Sequence, residues 1–297
     1  MSTVKSVRRG RKVYHYLVQT YRWQGEIRKK QVYLGTTVPE KLESFRDRLE
    51  SDIWQETWFK QFDKIRENYQ KRFHTVPRSV IEKEQDDFIL EFTYDTNRIE
   101  GSSLTLEDTQ NLLRRGITPP SKPIHDVIEA RRHAELARRL TIHPEPVDLH
   151  HVLEWHKELF ADTKPDIAGQ IRTFEVRIGG SRHLLPPPLE VRPLLIELLR
   201  ATNRNKEFAH PVQKAASFHL RFESIHPFGD GNGRIGRLAM NVLLAQDGFP
   251  MLNIAYRRRR GYYTALEESN VRGISRPFLR WFFLRYGRDN RFYLRGP

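Results

Sequence analysis

Twelve residues, His226-Pro227-Phe228-Gly229-Asp230-Gly231-Asn232-Gly233-Arg234-Ile235-Gly236-Arg237, constrain this chain more than any others. Apolar residues recur at Ile235, Leu238, Ala239, Val242 and Leu243. That is the i, i+3, i+4, i+7, i+8 face of an amphipathic helix. The glycines therefore open a helix, and the unbonded N–H groups of a helix start form a ready anion site. Phosphate is the natural guest. The same stretch supplies an imidazole able to take a proton near neutral pH. Asp230 can hold Mg²⁺ against phosphate oxygens. Gly231 and Gly233 let backbone approach an anion, Asn232 adds a neutral donor, and Arg234 and Arg237 lie one helical turn apart, both able to face a polyphosphate.

Other readings of these residues fail on context. Gly231-x-Gly233-x-x-Gly236 satisfies the dinucleotide fingerprint, but that motif requires a preceding strand. Here Ala215, Phe218, His219, Phe222 and Ile225 precede it at helical spacing. Asp230-x-Asn232 begins like a calcium loop, but Arg234 takes the next ligand position and no glutamate closes the loop. His143, His150, His151 and His156 match no metal-ligand spacing and read as helix-face or surface residues.

The chain has 297 residues and a formal charge of +14, which favours acidic partners without choosing among them. It has no cysteine, so disulfides and cysteine-based zinc sites are excluded. No apolar run approaches a membrane span, and Met1 to Lys12 is basic without a signal-peptide core. The expectation is a soluble, cytoplasmic protein.

In chain order, Val13 to Val18 and Val32 to Leu34 read as strands with Gly25 in the turn region between them, a small basic antiparallel hairpin or sheet over residues 1–36. Residues 37–75 read as a helical connector, with Leu42, Phe45, Leu49, Ile53, Trp54, Trp58 and Phe62 at helical spacing. Residues 76–285 form a helical core. A helix runs to Glu100, with Gly101 suited to the left-handed position after it. Thr105 to Asp108 reads as a capping box, and Gly116 ends the helix that follows. Phe174, Val176 and Ile178 alternate with polar residues ahead of Gly179-Gly180, predicting an inserted β-hairpin. Residues 286–297 read as a loosely ordered basic tail. The fold class is thus mainly α, with an inserted hairpin and a small N-terminal β module.

His226 to Arg237 matches H-P-F-x-[DE]-G-N-G-R-x-x-R at every fixed position and so resembles the signature of Fic-domain proteins. The resemblance extends over about residues 80–285 and leaves residues 1–75 unexplained. It implies a helical core that transfers AMP from ATP to a hydroxyl of a target protein. His226 would deprotonate that hydroxyl, and Asp230 would bind Mg²⁺. Gly231, Asn232 and Gly233 would cradle the phosphates, and Arg234 and Arg237 would neutralise the outer ones. Tyr262, Tyr263 and Asn270 would line the nucleoside site. Val176, Arg177, Ile178 and Gly179 would form a flap that aligns the target chain by strand addition. Members of the family often dimerise and modify themselves.

The resemblance also implies a brake. Thr96-Asn97-Arg98-Ile99-Glu100-Gly101 is similar to the family's inhibitory helix, [ST]-x-x-x-E-[GN]. Thr96 and Glu100 share one helix face. Glu100 would pair with Arg237 and stand where the γ-phosphate must go. Two alternatives remain at this point: a nucleic-acid-binding regulator that works through the basic N-terminal module, and a Fic relative with other chemistry, such as phosphoryl transfer, another nucleotidyl transfer or AMP removal.

Overall fold

The computed structural model describes residues 2–204 and 208–295. The chain divides into two compact units, Met1–Lys64 and Ile65–Pro297.

The first unit is built on a three-stranded antiparallel sheet, β1 (Ser2–Arg9), β2 (Lys12–Trp23) and β3 (Glu26–Gly35), in that spatial order. The β2–β3 turn is Gln24-Gly25, with φ of 52° and 87°. Two residues with positive φ make the turn whose twist matches paired strands. Leu17, Val32 and Leu34 pack with Leu49 and Ile53 of α1 (Glu43–Trp54). β1 lacks the apolar alternation of a half-buried strand because Thr3 to Arg9 are exposed. It is recognisable from its pairing, not from its composition. A π-helical segment, Gln55–Phe59, joins α1 to α2 (Lys60–Thr75), within which the division between units falls.

The second unit contains α3 (Arg78–Ile99), α4 (Leu106–Arg115), α5 (Ile124–Ile142), α6 (Leu149–Phe160), α7 (Pro188–Arg204), α8 (Pro211–Ile225), α9 (Asn232–Gln246), α10 (Arg259–Arg272) and α11 (Arg276–Asp289). α9 is the axis. Every residue from Asn232 to Leu244 is buried, and α3, α5, α6 and α8 pack around it. A helix covered on all sides belongs at a domain's centre. Its polar side chains must then find partners inside the protein.

Local chemistry sets the helix ends. At the end of α3, Gly101 adopts φ 100°, its N–H donates to Arg98 O, and Ser102 N–H donates to Asn97 O. This is the Schellman arrangement, which satisfies the last carbonyls. α4 opens with a reciprocal capping box between Thr105 and Asp108 and closes at Gly116 in the left-handed region.

Two expectations are corrected. Residues 170–187 form no strand ladder, and only a turn at Ser181 N–H to Ile178 O marks the hairpin. The segment is held by side chains instead. Pro186 to Pro188 supply no backbone donors, and the alternating residues face no partner strand. The C-terminal tail is also ordered further than its composition suggests. α11 continues to Asp289 with Tyr286 fully buried, and Asn68 donates to Tyr293 O at 2.6 Å. Aromatic anchors outweigh the basic residues there.

Candidate active site

The site is built on the turn between α8 and α9. α8 ends at His226, which takes φ 52° and ψ 63°, a left-handed conformation rare for a residue with a Cβ. It turns the chain sharply so that residues 227–231 loop over the start of α9. Gly231 is the cap of α9 at φ 77°. A Cβ there would lie 2.2 Å from the Phe160 ring, so backbone and ring meet with no space between them.

The loop is fastened from within. Asn232 accepts from Phe228 N–H at 2.8 Å and donates to Phe228 O at 2.9 Å. Its side chain is buried and fully engaged, so it shapes the loop rather than offering a donor to phosphate. The anion-facing potential lies in the backbone N–H groups at the α9 start. His156 pins the same loop. Its Nδ1 accepts from Gly169 N–H at 2.9 Å, so Nε2–H donates to Asp230 O at 3.0 Å. Its ring stacks on Phe228 at 3.9 Å. Burial pushes this imidazole down to about 4, which keeps it neutral. His156 therefore belongs to the site's frame and not to the surface.

Around the loop lie alternating charges. Asp230 accepts from Lys164 at 2.6 Å and lies 3.5 Å from Arg234. Burial pushes its carboxyl up, but Arg234 and Lys164 outweigh it and hold the group below the usual range. Lys164 also lies 3.2 Å from Glu129. Glu129 pairs with the Arg234 guanidinium and accepts from Thr163 at 3.0 Å. The Arg234 guanidinium also lies over the Phe160 ring at 4.7 Å. Arg234 is thus committed to neighbours inside the protein. Lys164 and Glu129 carry no motif signal, since they come from loop and helix positions far away in sequence.

Arg237 is 1% exposed. It donates to Thr96 Oγ1 at 2.7 Å, to Thr96 O at 3.2 Å and to Glu100 Oε1 at 2.7 Å. Burial opposes its charge, but Glu100 more than compensates and raises its pKa. Glu100 lies directly over the helix start. A Cβ on Gly233 would sit 2.1 Å from its Oε1. A carboxylate therefore occupies the mouth of the anion site and is held by the arginine of the same motif.

His226 faces a second carboxyl. Its Nδ1 is buried, has no hydrogen-bond partner and lies 3.9 Å from Glu223 Oε2. Burial pushes the imidazole down to about 4, reinforced by Arg172 and opposed by Glu100 and Asp230. Burial pushes Glu223 up to about 8, against the pull of Arg237. A glutamate held neutral in the fold is one that the fold disfavours as an anion. Stability from this group is full below the unfolded value near 4.5 and is lost as pH rises through 8. Glu223→Gln, which does not titrate, is therefore expected to gain on the order of 2–4 kcal/mol over the parent at pH 8 relative to pH 5. Urea melts at the two pH values measure it, and an equal gain at both would overturn the assignment.

The segment after α6 is tied to the loop by Arg172. This 3%-exposed arginine donates to His226 O at 2.8 Å, Pro186 O at 2.8 Å and Phe174 O at 3.1 Å. Its backbone N–H donates to Pro227 O at 2.9 Å. One side chain thus fixes both ends of residues 174–186 against the histidine. Val176, Arg177, Ile178 and Gly179 lie between these anchors, and Glu267 of α10 accepts from Arg182 N–H at 2.8 Å beyond them.

The expected nucleoside residues separate. Tyr262 is buried, and its hydroxyl meets His219 Nε2 at 2.8 Å. It lies in the core. Tyr263 is half exposed and donates to Ile99 O at 3.2 Å, next to Glu100. Asn270 is partly buried near the end of α10.

Residues 146–244, which span α6, the segment after it, α7, α8 and most of α9, match the Fic/DOC family. The chain contains a Fic domain. It is 32% identical over 197 residues to "Protein adenylyltransferase fic-1" of Caenorhabditis briggsae, covering 64% of this chain and 38% of that protein. It is 30% identical over 231 residues to "Protein adenylyltransferase Fic" of Nematostella vectensis, covering 74% and 52%. The chain thus spans about half the length of these relatives, or less. Among solved structures, Fic-1 (residues 134–508) from C. elegans superposes with a TM-score of 0.69 at 25% identity, covering 86% of this chain and 77% of that one. The Fic fold accounts for the helical unit, with the signature loop at its centre.

Proposed function

We propose that this Fic domain transfers AMP from ATP to a hydroxyl side chain of a protein, and that Glu100 holds the site closed. The observation that carries the reading is the Glu100–Arg237 pair at 2.7 Å, placed over Gly233 at the α9 start. A helix start with open backbone N–H groups and an arginine, Arg237, in its second turn suits a polyphosphate. In this reading the free N–H groups at Asn232 and Gly233 take phosphate oxygens, and Arg237 is released to the outer phosphates when Glu100 withdraws.

Asp230 fits a divalent cation, since it is a half-exposed carboxylate that already holds an ammonium, Lys164, at 2.6 Å. Mg²⁺ bound there with phosphate oxygens would neutralise charge on the transferring group. The chain's own work would be threefold. Residues 176–179 would seat the target segment. His226 would accept the proton from the attacking hydroxyl. Arg237 and the helix start would stabilise the leaving pyrophosphate as the target oxygen bonds to the α-phosphorus.

The pH profile tests the histidine. Burial keeps His226 neutral down to about 4 in the free protein. The acid limb of kcat/KM should therefore lie well below the ordinary 6.5 of histidine. The limb of kcat should lie higher, because bound polyphosphate is anionic and favours the protonated ring. Measured on Glu100→Gly protein, a single limb near 6.5 in both parameters would count against His226 as the buried base.

A further inference from the structure

Residues 1–35 contain nine basic residues and one acidic residue, a net +8 of the chain's +14. The sheet register sorts these charges by face. The α1 side carries Leu17, Val32 and Leu34. Glu26 lies on that side too, since it pairs with Trp23, an even number of residues from Leu17. On the opposite face the register places Lys5 beside Tyr16, Arg9 beside Lys12, Lys29 beside Thr20, and Arg22 at the far end of β2. All five cations are exposed, and that face carries no acidic residue.

We propose that this face of the sheet binds double-stranded DNA, with the β1–β2 ribbon entering the major groove. Thr3 to Val13 are exposed without interruption, and the two-residue turn Gly10-Arg11 adds a cation at its tip. A two-stranded ribbon fits the roughly 12 Å major groove of B-form DNA, whereas the deep, narrow groove of A-form RNA refuses it. The spacing of the cations agrees. Lys12 and Arg22 are ten residues apart on one strand, about 33 Å at strand rise. That is about one turn of B-DNA, so the two ends of the sheet meet phosphates about one helical pitch apart. Between them Val18 lies buried, flanked by Thr3, Thr20 and Gln31, which are hydrogen-bonding side chains suited to phosphates and base edges. Tyr14 and Tyr16 lean on Tyr33, with centroids 6.2 Å and 5.4 Å apart. The rings pack on one another instead of standing free as stacking platforms, which favours a duplex over a single strand. The inference is independent of the transferase reading.

The test is fluorescence anisotropy with the full chain and a labelled random-sequence DNA duplex two helical turns long. From about 50 to about 200 mM salt, affinity should fall by about 150- to 500-fold, a log–log slope of about −3.6 to −4.5 for four or five neutralised phosphates. Arg9→Ala with Lys12→Ala should reduce the slope by about 2. Arg78→Ala with Arg131→Ala, which removes equal charge from exposed positions on the helical unit, should leave it unchanged. Circular dichroism of each pair confirms folding. Weak binding without salt dependence, tighter binding of an RNA duplex or single-stranded DNA, or equal loss in both pairs would overturn the proposal.

Discussion

Glu100→Gly is expected to raise auto-modification with labelled ATP by ten- to a hundredfold. Glu100 makes a charge-assisted bond to a buried arginine, and such bonds contribute about 1.5–3 kcal/mol. At about 1.4 kcal/mol per tenfold, releasing it shifts the balance towards ATP by that factor. The same substitution carries a structural cost. Arg237 is buried, and removing one partner of a buried pair leaves a charge uncompensated. Thr96 Oγ1 and O still accept from it, so the loss is partial. The variant should therefore melt below the parent without nucleotide and gain more from ATP than the parent does, because ligand restores the missing anion. Adding His226→Ala should remove the gained modification by at least about a hundredfold while leaving ATP stabilisation in place. Mass spectrometry for an adenylyl adduct and thermal melts with and without ATP read both effects. Unchanged modification in Glu100→Gly would sink the closed-site reading, and a gain of phosphoryl instead of adenylyl mass would replace AMP transfer with phosphoryl transfer.

Gly231→Ala is the second large effect, and it acts through shape alone. The residue sits at φ 77°, which costs an L-residue about 1–2 kcal/mol. The new Cβ would also stand 2.2 and 2.6 Å from two atoms of the Phe160 ring. Phe160 is fully buried and carries Arg234 and Lys164 on its face, so it has nowhere to go. Overpacking of this kind adds about 1–3 kcal/mol, for a total near 3. For a unit of this size the melting temperature should fall by roughly 6–12 °C. Activity in the Glu100→Gly background should drop about a hundredfold, because the loop that carries Asp230 moves relative to His226. Gly116→Ala is the control. It has a positive φ of 68° but open space around the new Cβ, so it should lose about 1 kcal/mol and no activity. Equal losses at the two glycines would mean that backbone conformation alone matters and that Phe160 is not a rigid floor.

What the sequence by itself determined is local. Periodicity placed the helices, because a buried face repeats every turn and survives any arrangement of the others. The end of α3 at Glu100-Gly101 and the capping box at Thr105 to Asp108 were legible because both depend on residues within one turn of each other. The signature loop was legible for the same reason. Where a residue's role depended on partners distant in sequence, the sequence was silent or misleading. Arg234 pairs with Glu129 across 105 positions. Tyr262 and Tyr263 are adjacent in sequence, yet helix geometry sends one to His219 in the core and the other to the surface beside Ile99. The strand periodicity at 174–178 was real in composition, but a strand needs a neighbour to hydrogen-bond with, and the fold supplies none there. Only the tertiary structure decided which charges meet. It set Lys164 against Asp230, Glu223 near His226 and Arg172 across the loop, because packing around a fully buried α9 leaves each of these polar groups to find its partner inside the protein.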